Sequence, residues 1–426
     1  MKNLHLYLLD LVVEQVAPPA VDSEGSFQMQ ISSLDYSSYL GAIGIGRITR
    51  GRLSANTPVR LISSNGEERS GRVLKVFRLM GVSRDEITTA HAGDIVAISG
   101  IEPISISDTL CAPEQVEALP ALTVDEPTVK IDIRVNDSPF AGKDGQFLTS
   151  RHLRTRLERE LIANVALRMT KTTDDQAFCL AGRGELHLAI LLETMRREGY
   201  EFAVSCPQVI EKEIDGTRCE PYETLRVDID QAHQGAVVDL LNQRGGTMQD
   251  MQLGQEGRVC VTYEIPTRCL MGLRNTFLSL TQGTGLMNHN FSHYGPWVKR
   301  ATSQRHQGVL ISNAQGVALG YALWQLQARG RMLIGPQTDV YEGMIVGVHS
   351  KDNDLVVNVI KGKQLTNIRA SGSDEKIALT PPIRLSLEQA MTFIAADELL
   401  ELTPKHMRFR KRWLKEHERK KYQREM

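Results

Sequence analysis

Long apolar runs are absent from this sequence of 426 residues. None approaches the roughly 20 apolar residues that a membrane-spanning helix needs, so we expect no membrane partner. The apolar stretch at residues 4–13 is broken by Asp10 and lacks a small-residue cleavage site, so it predicts a buried helix and not a signal peptide. The six cysteines show no CxxC spacing, which indicates reduced, mostly buried thiols in a cytoplasmic protein.

The motifs of a nucleotide hydrolase are also missing. A phosphate-cradling loop ends in Gly-Lys followed by Ser or Thr. The Gly-Lys pairs at residues 142–143 and 362–363 are followed by Asp and Gln, and no Asn-Lys-x-Asp segment that could read guanine is present. We therefore predict no catalytic residues, no bound cofactor and no enzymatic activity for this chain alone.

Two histidine-containing motifs invite other interpretations. His289 and His293 could share one face of a helix, but their segment is predicted to be a strand and offers no third ligand, so we expect no metal. Glu185 and His187, in GRGELH, could act as acid and base. Because no nucleophile is nearby, a helix start that satisfies its own amides is the favoured interpretation.

Charge is balanced overall but uneven along the chain. The net charge is −1, whereas residues 405–426 hold ten Lys and Arg against three Asp and Glu, a local balance of +7. Such a tail could dock on phosphate, or it could form a solvated C-terminal helix. The remainder holds 40 basic and 48 acidic residues, a balance of −8, which predicts no general attraction for nucleic acid, and DNA is not an expected partner.

The length and the order of patterns predict three or four domains. After an N-terminal helix that ends at the pair Pro18-Pro19, five short strands at even spacing favour a small β-barrel: FQMQIS, YLGAIGIGRI, PVRLIS, RVLKVFRLM and DIVAIS. From about Pro127, strand-helix-strand-strand-helix-strand occurs twice in succession, which is typical of ferredoxin-like α+β domains. The second helix of the first copy is predicted to place Leu186, Ile190, Leu191 and Met195 on one face.

The last part of the chain, from about Lys299, is predicted to be mostly β. QGVLISN, VALGYALWQL and DVYEGMIVGVHS favour strands. Residues 386–400 predict a helix capped by Ser386, with Gln389 placed to close a capping box. HMRFRKRW alternates apolar and basic residues, which predicts a strand with one cationic face.

A polar loop in this part is the candidate binding site. Residues 361–373 mix Lys, Arg, Asn, Ser, Thr and Gly with little apolar content, and such loops on rigid scaffolds are functional or disordered. Cations mixed with hydroxyl and amide donors suit the phosphates and ribose edges of RNA, although a solvated loop is the alternative. The candidate RNA-binding residues are Lys351, Lys361, Lys363, Asn367, Arg369 and Ser371.

Segments along the whole chain resemble the BipA/TypA family of translational GTPases. FQMQISSLDYSSYLGAIGIGRITRG resembles the opening of its second domain, GRGELHLAILLETMRREGYE its third domain, and PYETLRVDI the domain that EF-G calls its fifth. GVLISNAQG, VYEGMIVGVHSKDNDL, LTNIRASGSDE and PPIRLSLEQAMTFI resemble the C-terminal domain that distinguishes the family. Gln364 departs from the pattern, since the family commonly has a lysine there.

The resemblance implies a multidomain β and α+β fold in five segments. These are a helical linker at 1–22, an EF-Tu-domain-2-like β-barrel at 23–118, ferredoxin-like α+β domains at 119–212 and 213–298, and a family-specific, mostly β C-terminal domain with its basic tail at 299–426.

It also implies a ribosome- and RNA-binding body that assists assembly of the large (50S) subunit and translation in the cold or under stress. The 70S ribosome, the 50S subunit, rRNA and the A-site tRNA would be the partners of a cytoplasmic monomer. GTP, Mg²⁺ and all hydrolysis would belong to a first domain that this chain lacks. Lys361, Lys363 and Arg369 would contact phosphates, with Asn367 and Ser371 as hydrogen-bond donors.

Three other interpretations stay open. Another elongation factor of the EF-G or LepA kind is a weaker match, because EF-G has a further domain between its ferredoxin-like domains and LepA does not share the C-terminal segments. A truncated GTPase fragment without function is the second. An enzyme with an unfamiliar GTPase site is the third.

Calorimetric titration of this chain with GTP and Mg²⁺ is expected to give no binding heat, because no segment of the sequence can cradle the phosphates. A protein with an intact phosphate-binding loop serves as the positive control. Saturable heat from this chain would contradict the absence of a nucleotide site.

Overall fold

The structure, a computed structural model, describes the chain except residues 1, 19, 38, 82, 123–125, 173, 175, 255, 256, 298–304, 306, 363–377 and 426. Two compact units form, one from residues 1–124 and 157–165 and the other from 125–156 and 166–426. The boundaries of the five predicted segments stay a prediction. No helix among the described residues is long and apolar enough to cross a bilayer.

The helices are α1 (Lys2–Gln15), α2 (Ser150–Ala163), α3 (Glu185–Arg197), α4 (Gln234–Gln243), α5 (Thr267–Leu270), α6 (Leu273–Leu280), α7 (Gly320–Leu326), α8 (Leu387–Phe393) and α9 (Glu416–Glu425). The strands of the first unit are β1 (Gln28–Ser37), β2 (Gly41–Arg50), β3 (Arg52–Ser54), β4 (Thr57–Ile62), β5 (Glu68–Val73), β6 (Lys75–Met80), β7 (Ser83–Ile87), β8 (Thr89–His91), β9 (Ile95–Ser99) and β10 (Thr109–Cys111).

The strands of the second unit follow in two groups. The first group is β11 (Val129–Val135), β12 (Arg168–Lys171), β13 (Ala177–Gly182), β14 (Phe202–Ser205), β15 (Gln208–Val209), β16 (Lys212–Ile214), β17 (Thr217–Asp230), β18 (Thr247–Leu253), β19 (Arg258–Pro266) and β20 (Leu286–Pro296). The second group is β21 (Val309–Ser312), β22 (Gly316–Val317), β23 (Gly330–Met332), β24 (Asp339–Val340), β25 (Met344–His349), β26 (Leu355–Val357), β27 (Glu398–Leu402) and β28 (Met407–Lys411).

The first unit is a β-domain with a main apolar core and a smaller apolar cluster of Ile43, Phe77 and Ala97. Its main sheet has the order β5-β4-β10-β1-β2-β9-β6-β7, and β3 pairs with β8 separately. Side-chain alternation along the strands places one face inward. The inward residues include Met29, Ile31, Ile48, Leu53, Val59, Leu61, Val73, Val76, Ala90, Val96, Ile98 and Leu110. The predicted strands are confirmed, while no ladder between β5 and β7 closes the barrel in the described part of this unit.

Helix α1 is confirmed as a helix, but its predicted burial is wrong. Leu8, Leu9 and Val13 are 56%, 60% and 81% exposed. The described apolar core of the first unit contains no side chain of α1, so the helix keeps its apolar residues in contact with solvent.

The second unit is organised by one eleven-stranded sheet. Its path runs β12-β13-β11-β14-β27-β28-β25-β21-β26, with β15 beside β11 and β23 beside β25. Antiparallel pairing of β14 with β27 sets Phe202 opposite Leu402 and Val204 opposite Leu400. A ladder of backbone hydrogen bonds therefore joins the predicted ferredoxin-like domain directly to the C-terminal domain.

The first α+β copy has the predicted element order, and one helix face needs correction. Helix α3 buries Leu188, Leu191, Leu192 and Met195 against the sheet. Leu191 and Met195 were predicted on this face, but Leu186 and Ile190 are 47% and 59% exposed. The buried set recurs at i, i+3, i+4 and i+7, which is the apolar stripe of an amphipathic helix.

The second α+β copy is confirmed element by element. β17 pairs with β20 and β19, β19 with β18, and β16 with β17. Helices α4 and α6 cover the sheet through buried Val237, Leu241 and Phe277, which pack on Leu225 and Val261 among others. The result is a separate core within the second unit.

Two predicted elements of the C-terminal part are wrong. VALGYALWQL is mainly helix α7, which buries Ala322 and Leu323. The predicted helix at 386–400 ends at Phe393; residues 394–397 form a short connection with a turn, and residues 398–400 begin β27. The capping box of Ser386 and Gln389 is confirmed. Strand β27 lies between β14 and β28, so hydrogen bonds along both of its edges outweigh local helix propensity.

Strand β28 is confirmed, but its basic residues do not form an open cationic face. Arg410 is fully buried and paired with Asp137, and Lys411 is 3% exposed. Arg408 Nη1 lies 2.8 Å from Glu401 Oε1. Acidic side chains, Glu401 nearby and Asp137 far away in the sequence, therefore neutralise this part of the basic tail inside the second unit.

Glu398 is the centre of this buried network. Its carboxylate is fully buried and lies 2.7 Å from Arg305 Nη2 and 3.1 Å from Lys411 Nζ. Its Oε2 atom also accepts a hydrogen bond from the backbone N–H of Ala395 at 2.9 Å. A buried carboxylate is tolerated only with such partners, so each partner depends on the others.

All six cysteines are among the described residues, and none forms a disulfide bond. Cys111, Cys219 and Cys269 are buried and the other three are half-buried. Burial raises the pKa of the Cys206 thiol to about 11, which makes it a poor nucleophile at neutral pH.

Replacing Glu398 by Gln is expected to lower the free energy of unfolding of the second unit by about 3–5 kcal/mol, because it leaves Arg305 without its counter-charge and removes one of the three carboxylates around Lys411. The matched control is Glu416→Gln, which breaks the surface pair of Glu416 with Lys420 and should leave stability unchanged within error. Urea unfolding followed by tryptophan fluorescence measures both, since Trp297, Trp324 and Trp413 all belong to this unit. Equal effects of the two variants would contradict the assigned role of Glu398.

Candidate nucleic-acid interface

The candidate interface is built on the outer strands of the eleven-stranded sheet. β21 pairs antiparallel with β25 and parallel with β26, and β23 pairs with β25. Residues 350–354 turn the chain from β25 into β26, and residues 358–362 lead from β26 toward the predicted RNA-binding loop. Leu310, Val346 and Val357 anchor these strands in a core that also contains Leu323 of α7.

The turn that carries Lys351 is held at several points. The backbone N–H of Gly308 donates to the Lys351 carbonyl at 2.8 Å. Asp354 accepts from the N–H of Val309 at 2.9 Å and lies 2.6 Å from Lys411 Nζ. The backbone of this turn is therefore tied to the buried ion-pair network, while the Lys351 side chain is exposed.

Gly308 is required by the close approach of two backbones. A Cβ at this position would overlap the carbonyl of Asn353 on the opposite side of the turn. Only glycine allows the hydrogen bond between Gly308 and Lys351 without a shift of the chain.

Lys361 directly follows a second segment whose backbone is anchored to the start of α7. Val359 is fully buried, and its carbonyl accepts from the N–H of Leu319, the N-cap of α7, at 2.9 Å. The N–H of Ile360 donates to Asn358 Oδ1 at 3.0 Å. Lys361 follows immediately and is exposed.

The chain returns at the opposite end of α7. Gln327, the C-cap of α7, donates from Nε2 to the Ala378 carbonyl at 3.2 Å and accepts from the Thr380 N–H at 2.6 Å. A helix of seven residues is about 10 Å long, which fixes the separation of the two anchors. The scaffold thus sets where the predicted loop starts and where it ends.

Two further cations lie beside these anchors, and sequence analysis missed them. Arg329 follows Gln327 by two residues, and its carbonyl accepts from the Ser350 N–H at 2.9 Å, next to Lys351. Arg331, on the same face of the strand, pairs opposite Val348. Both side chains are exposed. The two arginines of the segment ARGRML, two residues apart, could have indicated this basic site from the sequence.

We call Arg329, Arg331, Lys351 and Lys361 the α7 cation cluster. None of the four forms an ion pair within the described part of the chain, in contrast to the basic residues of β28. Exposed cations without counter-charges can meet phosphate at little desolvation cost.

The other candidate residues, Lys363, Asn367, Arg369 and Ser371, lie outside the described residues, as does Gln364. Of the six predicted RNA-binding residues, the structure therefore places Lys351 and Lys361. Both lie at the surface of the scaffold that carries the segment 363–377.

The two histidine-containing motifs lie on β20 and at the start of α3. His289 and His293 lie on β20, a strand as predicted, and His289 Nδ1 is 2.5 Å from Glu223 Oε2. No group of three or more His, Cys, Asp or Glu residues within the described ranges is arranged to hold a metal. Helix α3 does begin at Glu185, but without a side-chain cap, since Gly184 is the N-cap. His187 Nδ1 accepts from the Arg183 N–H at 3.3 Å.

Three family models match the chain. The one described as Elongation factor Tu domain 2 matches residues 41–111, and Elongation factor G C-terminus matches residues 217–305. The one described as TypA/BipA C-terminal domain matches residues 307–416, which include the whole α7 cation cluster.

Curated relatives match nearly the whole chain. The Large ribosomal subunit assembly factor BipA of Escherichia coli strain K12 is 52% identical over 414 residues, covering 97% of this chain and 68% of that protein. The protein of the same name from Buchnera aphidicola is 47% identical over 421 residues, covering 99% of this chain and 69% of that protein. A crystal structure of a Thermus thermophilus protein aligns with a TM-score of 0.46 at 18% identity, over 69% of this chain and 59% of that one, which is too remote to support an argument.

Replacing Gly308 by Ala is expected to lower the free energy of unfolding by about 1–3 kcal/mol, because the new methyl group forces the turn at Lys351 away from β21. Gly335→Ala is the matched control, since a Cβ there would meet open space, and should change stability by less than about 0.5 kcal/mol. Urea unfolding gives the stabilities, and hydrogen exchange of the Gly308 amide reports the turn itself. An unchanged Gly308 variant would show that the turn is not held as described.

Proposed function

The chain belongs to the BipA/TypA family of translational GTPases, and we propose that it acts as the ribosome- and RNA-binding body of such a factor. The observation that carries the proposal is the α7 cation cluster. Four exposed cations without ionic partners among the described residues surround the two anchors of the predicted RNA-binding loop. They lie in the domain that matches the family's C-terminal model.

The α7 cation cluster suits contact with the RNA backbone. Lys and Arg that neutralise phosphates release condensed counterions, which supplies binding energy independent of sequence. Contacts of this kind position a protein on RNA without reading its bases. Lys363 and Arg369 would extend the same surface, and Asn367 and Ser371 would add hydrogen-bond donors for phosphate or ribose.

A fixed scaffold makes such positioning useful. The Lys351 turn is tied through Asp354 and Lys411 to Glu398, which lies on β27. β27 in turn pairs with β14. Phosphate contacts at the surface would therefore orient the C-terminal domain and the first α+β copy together.

The relatives are named large ribosomal subunit assembly factors, which supports a ribosomal partner for this chain. We propose that the chain binds the 50S subunit and the 70S ribosome in the cytoplasm, contacting rRNA and A-site tRNA, as a monomer. Assembly of the large subunit in the cold or under stress would be its process. GTP, Mg²⁺ and hydrolysis would reside in a nucleotide-binding domain outside this sequence, and the chain itself would hold no cofactor.

A variant with Arg329, Arg331, Lys351 and Lys361 all replaced by Ala is expected to bind 50S particles at least tenfold more weakly than the unaltered chain. Removal of four phosphate contacts should also lower the slope of log K against log salt by roughly 3–4. Co-sedimentation with 50S particles across a salt series measures both quantities.

The control variant replaces Arg52, Arg69, Arg72 and Arg78, four exposed cations of the first unit, and changes the net charge equally. A second variant with Lys363 and Arg369 replaced tests the predicted loop. Equal losses in the cluster and control variants would show nonspecific charge attraction. No binding by the unaltered chain at low salt would favour a fragment without function.

A further inference from the structure

A cavity of about 320 Å³ in the second unit has no role in RNA binding as proposed above. Its walls come from the start of α3, from α5 and β20, and from α8, so all three domains of this unit contribute. Leu186, Met271 and Phe291 supply apolar surface. The volume is at the lower end of the range for small-molecule sites, which combine apolar walls with a few converging polar groups.

Two polar atoms in the wall of this cavity lack partners. The hydroxyl of Thr267, on α5, belongs to a residue that is 4% exposed, and its Oγ1 makes no hydrogen bond to a described residue. The Oε2 atom of Glu185, the first residue of α3, is likewise buried without a partner among the described residues. Buried polar atoms are nearly always satisfied, so these two atoms are available to hydrogen-bond a molecule in the cavity.

The charges around Glu185 favour a cation. Burial raises the pKa of the Glu185 carboxyl to about 7, and the nearby carboxylate of Glu388, on α8, raises it further by repulsion. Glu223 adds a third carboxylate, partly offset by His289, whose pKa the Glu223 hydrogen bond raises. A cation placed between Glu185 and Glu388 would relieve this repulsion.

The remaining charged groups of the wall are engaged or lie toward solvent. Glu126 is paired with Lys212, and His187 accepts a backbone hydrogen bond from Arg183. The side chains of Arg183 and Arg274 are exposed. Arg244 attracts the Glu185 carboxylate from outside the wall, but its Nη1 donates to the carbonyls of Cys269 and Met271 at 3.3 and 3.2 Å. Glu185 and Glu388 are therefore the carboxylates of this wall that form no ion pair with a described residue.

We propose that this cavity binds a small molecule through a guanidinium or ammonium head placed between Glu185 and Glu388, with Thr267 as an additional hydrogen-bond partner. The planar N–H groups of a guanidinium match a carboxylate in a bidentate arrangement. An apolar tail of a few carbons would lie against Leu186, Met271 and Phe291.

Calorimetric titration with butylguanidinium, and with its neutral analogue butylurea, tests the proposal on the whole chain. We expect saturable binding of butylguanidinium with a Kd below about 1 mM, and binding of butylurea at least tenfold weaker. Affinity should also rise roughly tenfold from pH 6 to pH 8, because Glu185 passes from mostly protonated to mostly ionised through its pKa of about 7.

Glu185→Gln should weaken butylguanidinium binding at least tenfold at pH 8 and remove most of the pH dependence. Glu193→Gln, on the same helix but paired with Arg196 and Arg197 outside this cavity, is the control and should bind as the unaltered chain does. Thermal melts verify that both variants are folded. No saturable binding by the unaltered chain, equal affinity for the neutral analogue, or an unaffected Glu185 variant would each overturn the proposal.

Discussion

The pairing of β14 with β27 is the interaction on which the second unit depends. Four residue pairs, from Phe202–Leu402 to Ser205–Leu399, join two sheets that would otherwise end at exposed edges. Backbone pairing alone would leave Glu398 and Glu401, two buried carboxylates on β27, without counter-charges. Arg305, Arg408 and Lys411 provide their counter-charges, so backbone pairing and ion pairing stabilise the same strand.

This arrangement divides the basic residues of the C-terminal domain into two classes. Those of β28 are internal and hold the sheet together, whereas Arg329, Arg331, Lys351 and Lys361 are exposed around α7. The first class limits how far the second can move, because Lys411 contacts Asp354 at the base of the Lys351 turn. Lysine and arginine thus serve both the interior and the surface of this domain. Those of β28 have acidic partners and stabilise the interior, and those of the α7 cation cluster, without such partners among the described residues, are exposed.

Local patterns in the sequence were sufficient wherever the information was local. The capping box at Ser386 and the element order of both α+β copies were predicted. Strand β27 and the neutralised face of β28 could not be, because their partners, such as Asp137, lie hundreds of residues away. The unsatisfied oxygen of Glu185 was equally hidden, since its surroundings come from α5, β20 and α8.

Native-state hydrogen exchange of the β14–β27 ladder tests the central claim most directly. If the ladder and its ion pairs make one cooperative body, the amides of β14 and β27 should exchange only with global opening of the second unit, at the same free energy as those of β11. Exchange of the β27 and β28 amides at a clearly lower free energy than those of β11 would contradict it. The C-terminal domain would then open independently of the first α+β copy.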